Sequence, residues 1–288
     1  MSDSHKERGN IIKITILVDN NTLIDQYFLA EPGLSIYIED GDKNILFDCG
    51  YSGIFMENAL KMHIDLLNLD YLVLSHSHLD HTWGLTYLIK TYTEAHFLHW
   101  KVKKPQLITH PRTFMSTRDD QIGEIGSLIP PERLTPYLYP HLTKEPFSLT
   151  ERLVYLGEIP RVMPFEPVQT IGRKTGEDEG DAILDDSALA YRSDGGLVII
   201  TGCSHAGICN IIEHAKDVCR DDRIVDVIGG LHLLFPTEHR LAGTLAYLKE
   251  QRLSSLHACH CTDLSSKIAL AEVAPIKEVG VGLSLSYT

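Results

Sequence analysis

The feature that most constrains this sequence is a group of possible metal ligands directly after a short apolar segment. The group reads HSHLDH, and its possible ligands are His76, His78, Asp80 and His81. The apolar segment 71–74 is typical of a buried strand. A strand that ends in a tight turn brings side chains to the edge of a sheet, where open α/β proteins place their sites. Burying these groups without partners would be costly, so the stretch predicts a metal site at a sheet edge.

The spacing within this stretch predicts two neighbouring metal positions. His76 and His78 are two residues apart, so in an extended segment they point the same way and can bind one ion. Asp80 and His81 emerge later in the turn and would face a second position. Two adjacent ions activate a water and stabilise both the attacking and the leaving oxygens, which is the chemistry of a hydrolase. On these residues alone, a polar turn that is rich in histidine by chance stays open as the alternative.

The rest of the chain predicts one α/β domain over 11–288, preceded by a polar, flexible tail at 1–10. The two halves share a pattern, a hairpin followed by a strand, a turn that carries histidine, and a helix. This pattern suggests two similar halves that face each other around one site. Nine of the thirteen prolines lie within 101–165, which disfavours a long helix or a central strand there. We therefore interpret 101–165 as an insertion or cap made of short elements.

Three local predictions concern single elements of secondary structure. The helical spacing after the histidine-rich turn predicts a helix from about Trp83 to Tyr92. The apolar residues that follow predict a strand at Ala95–His99. The final apolar run predicts a last strand at Ile276–Val281.

Composition bears on the partners and on the compartment. The net charge of −13 disfavours nonspecific binding to nucleic acid or to an anionic membrane. No apolar run approaches the length that spans a bilayer. The polar N-terminus lacks the apolar region of a signal peptide, so we expect a cytoplasmic protein with reduced thiols. The expected partner is a small molecule, and the oligomeric state stays open.

The histidine-rich stretch matches the HxHxDH signature of the metallo-β-lactamase-fold hydrolases. Further stretches narrow this resemblance, namely LFDCG at 46–50, TGCSHAG at 201–207, GGLHL at 229–233 and CHCT at 259–262. Together they resemble the branch named for 7,8-dihydropterin-6-yl-methyl-4-(β-D-ribofuranosyl)aminobenzene-5′-phosphate synthase. The resemblance covers most of the chain and is weakest over 101–165. It implies a four-layer αββα sandwich with a dinuclear metal site at one edge.

The resemblance also implies roles for single residues. His76 and His78 would hold the first metal ion, and Asp80 and His81 would hold the second. His260 stands where the superfamily has its last strand-end histidine ligand. The implied cofactors are two divalent ions, with zinc expected and manganese or iron as alternatives.

The sequence departs from the superfamily pattern at two ligand positions. Many members carry a bridging Asp in a Gly-Asp turn, and this chain has Gly202-Cys203 there. The histidine usually found some twenty residues earlier is missing, and Asp185-Asp186 lie in that region. We predict that His205 replaces one of these ligands, with Cys203 or Asp186 as a supplement.

Three of the histidines have more than one reading. His205 could be a helix N-terminal residue bonded to backbone, and His260 could be a satisfied core histidine. His232 follows Gly229-Gly230, where the backbone can come close to another group. A contact to the substrate or to a ligand is therefore attractive for His232, while direct ligation and plain packing stay open.

The remaining candidates would support the metals or contact the substrate. Asp48 is expected to accept a hydrogen bond from a ligand histidine rather than to bind metal itself. Cys203 could belong to the site or be a small buried apolar residue. Asn20, His110 and Arg112 are candidate substrate contacts, with Arg112 for an anionic group. For His110 and Arg112 a plain loop is the alternative.

The function expected from the sequence is that of a metal-dependent hydrolase for a small phosphate- or ester-containing molecule. The branch it resembles suggests pterin-phosphate chemistry, and glycine-flanked turns with a cap fit a small-molecule pocket. The alternative is a catalytically silent metal- or ligand-binding sensor module on the same fold. A redox role like that of the diiron flavoproteins would need Glu in place of His78, which argues against it.

Overall fold

The computed structural model describes residues 11–288, so the flexible tail predicted at 1–10 lies outside the described residues. The strands are β1 (Ile12–Val18), β2 (Ser35–Asp40), β3 (Lys43–Phe47), β4 (Tyr71–Val73), β5 (Gln106–Thr109), β6 (Thr117–Asp119), β7 (Gly123–Glu124), β8 (Tyr139–Leu142), β9 (Phe147–Ser148), β10 (Leu153–Tyr155), β11 (Arg173–Lys174), β12 (Ala188–Ser193), β13 (Gly196–Thr201), β14 (Ile224–Gly230), β15 (Ser255–Cys259) and β16 (Ser284–Tyr287). The helices are α1 (Ile54–Lys61), α2 (Leu79–Thr82), α3 (Leu85–Phe97), α4 (Ile208–Cys219), α5 (Glu238–Gln251) and α6 (Leu264–Ala271), with 3₁₀ turns at Leu66–Asn68 and Pro131–Arg133.

Two large sheets repeat one arrangement. The first has seven strands in the order β16-β1-β2-β3-β4-β5-β8, and the second has six in the order β15-β14-β13-β12-β10-β9. In the first sheet the hairpin β2–β3 is antiparallel and β4 then adds parallel to β3. In the second sheet the hairpin β12–β13 is followed in the same way by parallel β14 and β15. The two halves thus repeat the pattern that the sequence indicates.

The alternation of apolar residues along the strands produces four layers. Inward-facing residues such as Ile14 and Ile36 of the first sheet share one core with Val198 and Ile200 of the second. The outer face of the first sheet packs against α1 and α3 through Phe55, Leu85 and Leu88. The outer face of the second packs against α4, α5 and α6 through Ile211, Leu248 and Leu270. Helices therefore cover both outer faces, and the predicted αββα sandwich is confirmed.

Two local predictions are wrong. The strand predicted at Ala95–His99 is the end of α3, because Leu85, Leu88, Tyr92 and Ala95 recur at helical spacing and are all buried on one face. The strand predicted at Ile276–Val281 forms only isolated bridges, from Ile276 to Leu256 and from Val281 to Thr22. The edge strand comes later, where β16 pairs antiparallel with β1.

The proline-rich segment 101–165 is distributed over three sheets. Its β5 lies inside the first sheet between β4 and β8, although the prolines disfavour a central strand in this region. The reason is position, because Pro105 directly precedes β5 and Pro140 lies in the edge strand β8, where a missing donor is tolerated. Strands β9 and β10 extend the second sheet. Only β6 and β7 stand apart, in a small sheet with β11.

The stretch between α2 and α3 packs closely against the loop after β3. The backbone N–H of Cys49 donates to the carbonyl of His81, and that of Gly84 donates to the carbonyl of Gly50. These contacts fix the histidine-rich turn against the first sheet. Of the helices within 11–288, none has both the length and the apolarity required to cross a bilayer.

We expect the substitution Gly84→Ala to destabilise the protein. A Cβ at Gly84 would lie 2.0 Å from the carbonyl oxygen of Cys49, and this backbone contact cannot be relieved by a side-chain rotation. Overpacking of this kind costs about 1–3 kcal/mol of unfolding free energy. Denaturant unfolding should be compared with that of Gly195→Ala. Gly195 is exposed, and its added Cβ would meet side-chain atoms alone, Val225 Cγ2 at 3.2 Å and Ser193 Oγ at 3.8 Å. Equal stability of the two variants would contradict the prediction.

Candidate metal centre

The candidate site lies where strands of both sheets end. In the first sheet β3 leads into Asp48 and β4 leads into the stretch 76–81. In the second sheet β13, β14 and β15 lead into Cys203, His232 and His260. The strands involved, β3 with β4 and β13 with β14 and β15, are parallel within each sheet. The carboxyl ends of parallel strands meet at one edge, which explains how residues so far apart in sequence come together.

Several residues at these strand ends have an unusual backbone conformation. Asp48, Ser204, His232 and His260 have φ values of 58°, 62°, 49° and 52°. Such values cost a non-glycine residue about 1–3 kcal/mol and occur where the surrounding structure enforces them. At His260 the backbone N–H donates to Asp19 Oδ1 at 2.9 Å, which holds the strained turn.

The first ligand set consists of His76, His78 and His205. One ring nitrogen of each lies within 4.8 Å of the others, and His76 Nε2 is 3.1 Å from His78 Nδ1. Burial lowers the pKa of all three imidazoles, so they are neutral at physiological pH, which is the form that binds metal. Within residues 11–288, neither nitrogen of His205 nor Nε2 of His78 finds a hydrogen-bond partner. Buried nitrogens of this kind suit a cation.

The second ligand set consists of Asp80, His81, Cys203 and His260. His81 Nε2 lies 3.2 Å from Cys203 Sγ and 3.2 Å from His260 Nε2, and Asp80 Oδ2 lies 3.3 Å from His260 Nε2. Burial would raise the pKa of Asp80, but the neighbouring His81 and His260 outweigh it and hold the pKa well below its usual range. Burial would lower the pKa of His260, but its bond to Asp80 and nearby negative groups raise it to about 9. A proton and a metal ion therefore compete for this imidazole.

Hydrogen bonds orient the histidines of the second set toward a common point. Asp48 Oδ2 accepts from His81 Nδ1 at 2.7 Å, which leaves His81 Nε2 to face the site. Asn20 Oδ1 lies 3.2 Å from His260 Nδ1 and has the same effect on that ring. Metal-bound histidines almost always have their second nitrogen held in this way. Asp48 therefore accepts a hydrogen bond from His81, and Asn20, which also lines the neighbouring cavity, pairs with His260.

Ser75 extends this network to the first set. Its hydroxyl donates to Asp48 Oδ2 at 2.6 Å and lies 2.9 Å from His76 Nδ1. One buried carboxylate therefore positions a histidine of each set. The residues present fit divalent cations, since two adjacent groups of imidazoles and the ionised carboxylate of Asp80 converge.

Two further predicted residues lie against these sets in different ways. His232 belongs to a third combination with Cys203 and His205, and its ring centroid is 4.3 Å from that of His205. Asp186 stands outside the three combinations found among the described residues. Its Oδ2 accepts from the N–H of Ala206 at 2.8 Å, and burial raises its pKa to about 7. Asp186 thus stabilises the turn that carries His205 through a hydrogen bond to its backbone.

The structure does not bring His110 and Arg112 to the cavity beside the metal centre. His110 Nε2 lies 3.0 Å from Glu158 Oε2, and Arg112 donates to both carboxylate oxygens of Glu177 at 2.7 Å. The acidic partners lie 48 and 65 positions away in the sequence, so local patterns could not reveal them.

The cavity has a volume of about 890 Å³ and opens over both ligand sets. Its walls are largely apolar and include Ile122 and Ile125 near the small sheet and Leu264 at the start of α6. Lys267, one turn further along α6, also lines it. Lys267 was not predicted from the sequence, although its place just after a strand-end histidine and a turn was a usable signal.

A second missed residue is the buried Lys174. Its Nζ lies 3.2 Å from Ser77 Oγ and 3.0 Å from Asp181 Oδ2. Ser77 separates His76 from His78. Lys174, which is paired with Asp181, therefore holds the histidine-rich turn in place through Ser77. No local pattern points to a role for Lys174, because its partners come from distant segments.

Comparison with known proteins agrees with this geometry. The family model described as the metallo-beta-lactamase superfamily matches residues 29–209. The chain belongs to this superfamily. Its members are generally metal-dependent hydrolases, and its fold implies binding of divalent metal. The family resemblance stated from the sequence is confirmed.

Relatives and solved structures extend the match over nearly the whole chain. An uncharacterized protein of Methanocaldococcus jannaschii, MJ0448, is 31% identical over 90% of this chain and 94% of its own. The 7,8-dihydropterin-6-methyl-4-(beta-D-ribofuranosyl)-aminobenzene-5'-phosphate synthase of the same organism is 29% identical over 89% of each chain. The crystal structure of Tm1679, a metal-dependent hydrolase of the beta-lactamase superfamily, has a TM-score of 0.78 at 24% identity, over 95% of this chain and 98% of that one. The similarity to Tm1679 supports the assignment of the metallo-β-lactamase fold to this chain.

The role of Asp48 predicts that Asp48→Asn weakens metal binding. The amide cannot accept as strongly from both His81 and Ser75, and loss of such a partner costs about 10–100-fold in metal affinity. Competition with a chromophoric chelator measures this change. Asp226→Asn is a matched control, because Asp226 is also fully buried and lies 2.7 Å from a histidine nitrogen, that of His257, away from the centre. Equal metal affinities for the two variants would contradict the assigned role.

Proposed function

We propose that this protein is a hydrolase with a dinuclear metal centre that acts on a small anionic phosphate- or ester-containing molecule. The observation that carries the proposal is the pair of adjacent ligand sets. His76, His78 and His205 would hold one ion, and Asp80, His81 and His260 would hold the other. Zinc is the expected ion, and manganese and iron are alternatives.

The metal ions and the protein would contribute different parts of the chemistry. Two bound divalent ions would supply a water of lowered pKa, from about 15.7 to about 7, and would stabilise charge on the reacting oxygens. Asp48 and Asn20 fix the orientation of His81 and His260, so the centre is formed before substrate arrives. The Asp80 side chain is 27% exposed, which places an ionised carboxylate between the second ligand set and the cavity. The apolar walls limit the water that can enter.

The cavity supports a small substrate that carries negative charge. Its volume of about 890 Å³ falls in the range of small-molecule sites, about 300–1,000 Å³. Lys267 is the one Lys or Arg among the described residues that line it, and it would pair with a phosphate or carboxylate of the substrate. The M. jannaschii relative named as a pterin-phosphate synthase motivates a related substrate with a flat ring against the apolar walls. We propose a cytoplasmic location. We do not propose nucleic acid or a membrane as a partner.

A catalytically silent sensor module is the second candidate. The observation that favours it is Cys203, which stands in the turn where many superfamily members carry a bridging carboxylate. Such a module would bind metal and ligand in the same cavity without turnover. In both cases we propose that 11–288 acts as one domain, with the small sheet as a wall of the cavity.

Metal content and turnover together test the proposed function. Elemental analysis of the purified protein should find about two divalent ions per chain, as expected for a two-metal hydrolase. Asp80→Ala, His81→Ala and His260→Ala should each bind less metal, while His239→Ala, which alters an exposed histidine on α5, should match the wild type. Unchanged stoichiometry in all three site variants would overturn the two-metal assignment.

Turnover then separates the enzyme from the sensor. The protein should hydrolyse at least one substrate among a phosphodiester, a phosphomonoester, a thioester and a lactam. This activity should be lost when a chelator removes the metal, and it should be lost in His78→Ala. Full metal occupancy of the wild type without turnover on any of them would favour the sensor module.

The cavity predicts a specific effect for Lys267→Ala on an anionic substrate. Loss of a hydrogen bond to a charged group costs about 1.5–3 kcal/mol, so KM should rise about tenfold or more while kcat changes little. Steady-state kinetics should compare the KM of this variant with that of Lys249→Ala. The control variant removes an exposed lysine of α5. An unchanged KM would argue against an anion at Lys267.

A further inference from the structure

We infer that Tyr51 selects the substrate by stacking against a planar aromatic ring that is joined to the reacting phosphate or ester group. This inference rests on the proposed hydrolase function and narrows its substrate to an aryl or heteroaryl compound. Tyr51 would bind the ring and take no part in breaking the bond, so it is a specificity residue of the cavity.

Tyr51 differs in kind from the other residues that line the cavity. Among the described residues in the cavity walls it is the one Phe, Tyr or Trp, and the apolar residues around it are mostly aliphatic, such as Ile122 and Leu264. Tyr51 is 42% exposed, so much of its ring is open to a ligand. An exposed aromatic ring inside a binding cavity is a candidate contact for the substrate.

The indole of Trp83 supports the ring of Tyr51 from one side. The two ring centroids are 5.3 Å apart and the ring planes differ by 25°, which is a stacked arrangement. Because the indole covers one face of Tyr51, the opposite face is the one available to a ligand. A ring that is already held in place loses little freedom when a ligand binds, which favours affinity.

Trp83 itself is fixed from two directions. It directly follows α2, at the end of the histidine-rich stretch. Its Nε1 donates to the carbonyl of Gly126 at 2.8 Å. Gly126 lies just after β7 and next to Ile125, which lines the cavity. The indole therefore connects the ring of Tyr51 to the small sheet that forms a wall of the cavity.

The backbone places Tyr51 beside the second ligand set. Its N–H donates to Glu31 Oε1 at 3.1 Å. A Cβ at Gly33 would lie 3.2 Å from the nitrogen of Tyr51 and 2.9 Å from the carbonyl oxygen of Asp80, so the two backbones approach the same point. A ring stacked on Tyr51 would therefore lie close to the group that reaches the candidate ligands. This proximity indicates a ring attached directly, or through a short link, to the reacting group.

Stacking distinguishes a planar ring from an aliphatic ring of the same size. Both kinds of ring bury apolar surface against the walls, but only the aromatic ring gains the further attraction between stacked π-systems. The ratio of the affinities for a planar and a puckered ring is therefore the quantity that Tyr51 controls. A residue that only supported the fold would change both affinities alike.

Two phosphonates test this ratio without any turnover. Phenylphosphonate and cyclohexylphosphonate carry the same anionic group on a planar and a puckered ring of six carbons, and neither contains an ester bond. Isothermal titration calorimetry of the metal-loaded wild type should give a several-fold lower Kd for phenylphosphonate. In Tyr51→Leu this Kd should rise about tenfold, the scale of losing one stacked ring, while that of cyclohexylphosphonate changes little. Tyr51→Phe keeps the ring and should keep the preference.

Tyr87→Leu is the matched control. Tyr87 lies on α3, is 46% exposed and is not among the described residues that line the cavity, so this variant should bind both phosphonates as the wild type does. Equal affinities of the wild type for the two phosphonates, or an unchanged preference in Tyr51→Leu, would overturn the inference and leave the hydrolase proposal intact. Binding of neither phosphonate would overturn the anion-binding cavity of the proposed function, and this inference with it.

Tryptophan emission covers the case in which Tyr51→Leu does not fold. The chain has two tryptophans, and Trp100→Phe removes an exposed one and leaves Trp83 as the single reporter beside Tyr51. 4-Nitrophenylphosphonate, whose nitroaryl ring quenches a nearby indole, should quench this emission to saturation. Phenylphosphonate should displace it at several-fold lower concentration than cyclohexylphosphonate. Quenching that does not saturate, or equal displacement by the two competitors, would overturn the inference.

Discussion

The hydrogen bonds of Asp48 connect the parts of this structure on which the candidate site depends. This carboxylate ends β3, accepts from the backbone and hydroxyl of Ser75 after β4, and accepts from His81 at the start of α2. It is fully buried, so its charge is tolerable only because three donors surround it. Gly202 from the second sheet packs against the same point, since an added Cβ would lie 3.2 Å from Asp48 Oδ2. The two sheets therefore meet at one carboxylate that also sets the orientation of the histidines.

This arrangement explains which parts of the site were predictable from sequence. The spacing of HSHLDH determines where four candidate ligands stand, because only residues 74–78 separate β4 from the short helix α2 and leave little conformational choice. The glycine-flanked turn after an apolar strand marked His205 as a candidate, and the place of His260 at the end of a short apolar strand marked that residue. The pairing of these residues into sets depends on how the sheets stack, which the sequence did not show. His110 and Arg112 illustrate the limit, since their partners Glu158 and Glu177 come from distant loops.

The errors in secondary structure have a related cause. Ala95–His99 has a composition that suits a strand, but Tyr92 and Ala95 continue the buried face of α3 and decide for helix. Ile276–Val281 is apolar enough for a strand, but its backbone meets neighbours only at single bridges. In both cases the competing interaction is tertiary packing, which overrides local preference. Pro105 shows the converse, because a proline just before β5 does not prevent that strand from lying inside the sheet.

The metal centre and the cavity wall have different structural origins, and this difference bears on function. The candidate ligands come from the ends of parallel strands, so the two sheets constrain their positions. The wall comes from Ile122 and Ile125 near β6 and β7 and from Leu264 and Lys267 on α6, outside the two large sheets. Changes in these surface segments can alter the shape and charge of the cavity without moving the strand ends. The chemistry of the centre therefore follows from the fold, whereas the choice of substrate depends on segments whose sequence the fold constrains weakly.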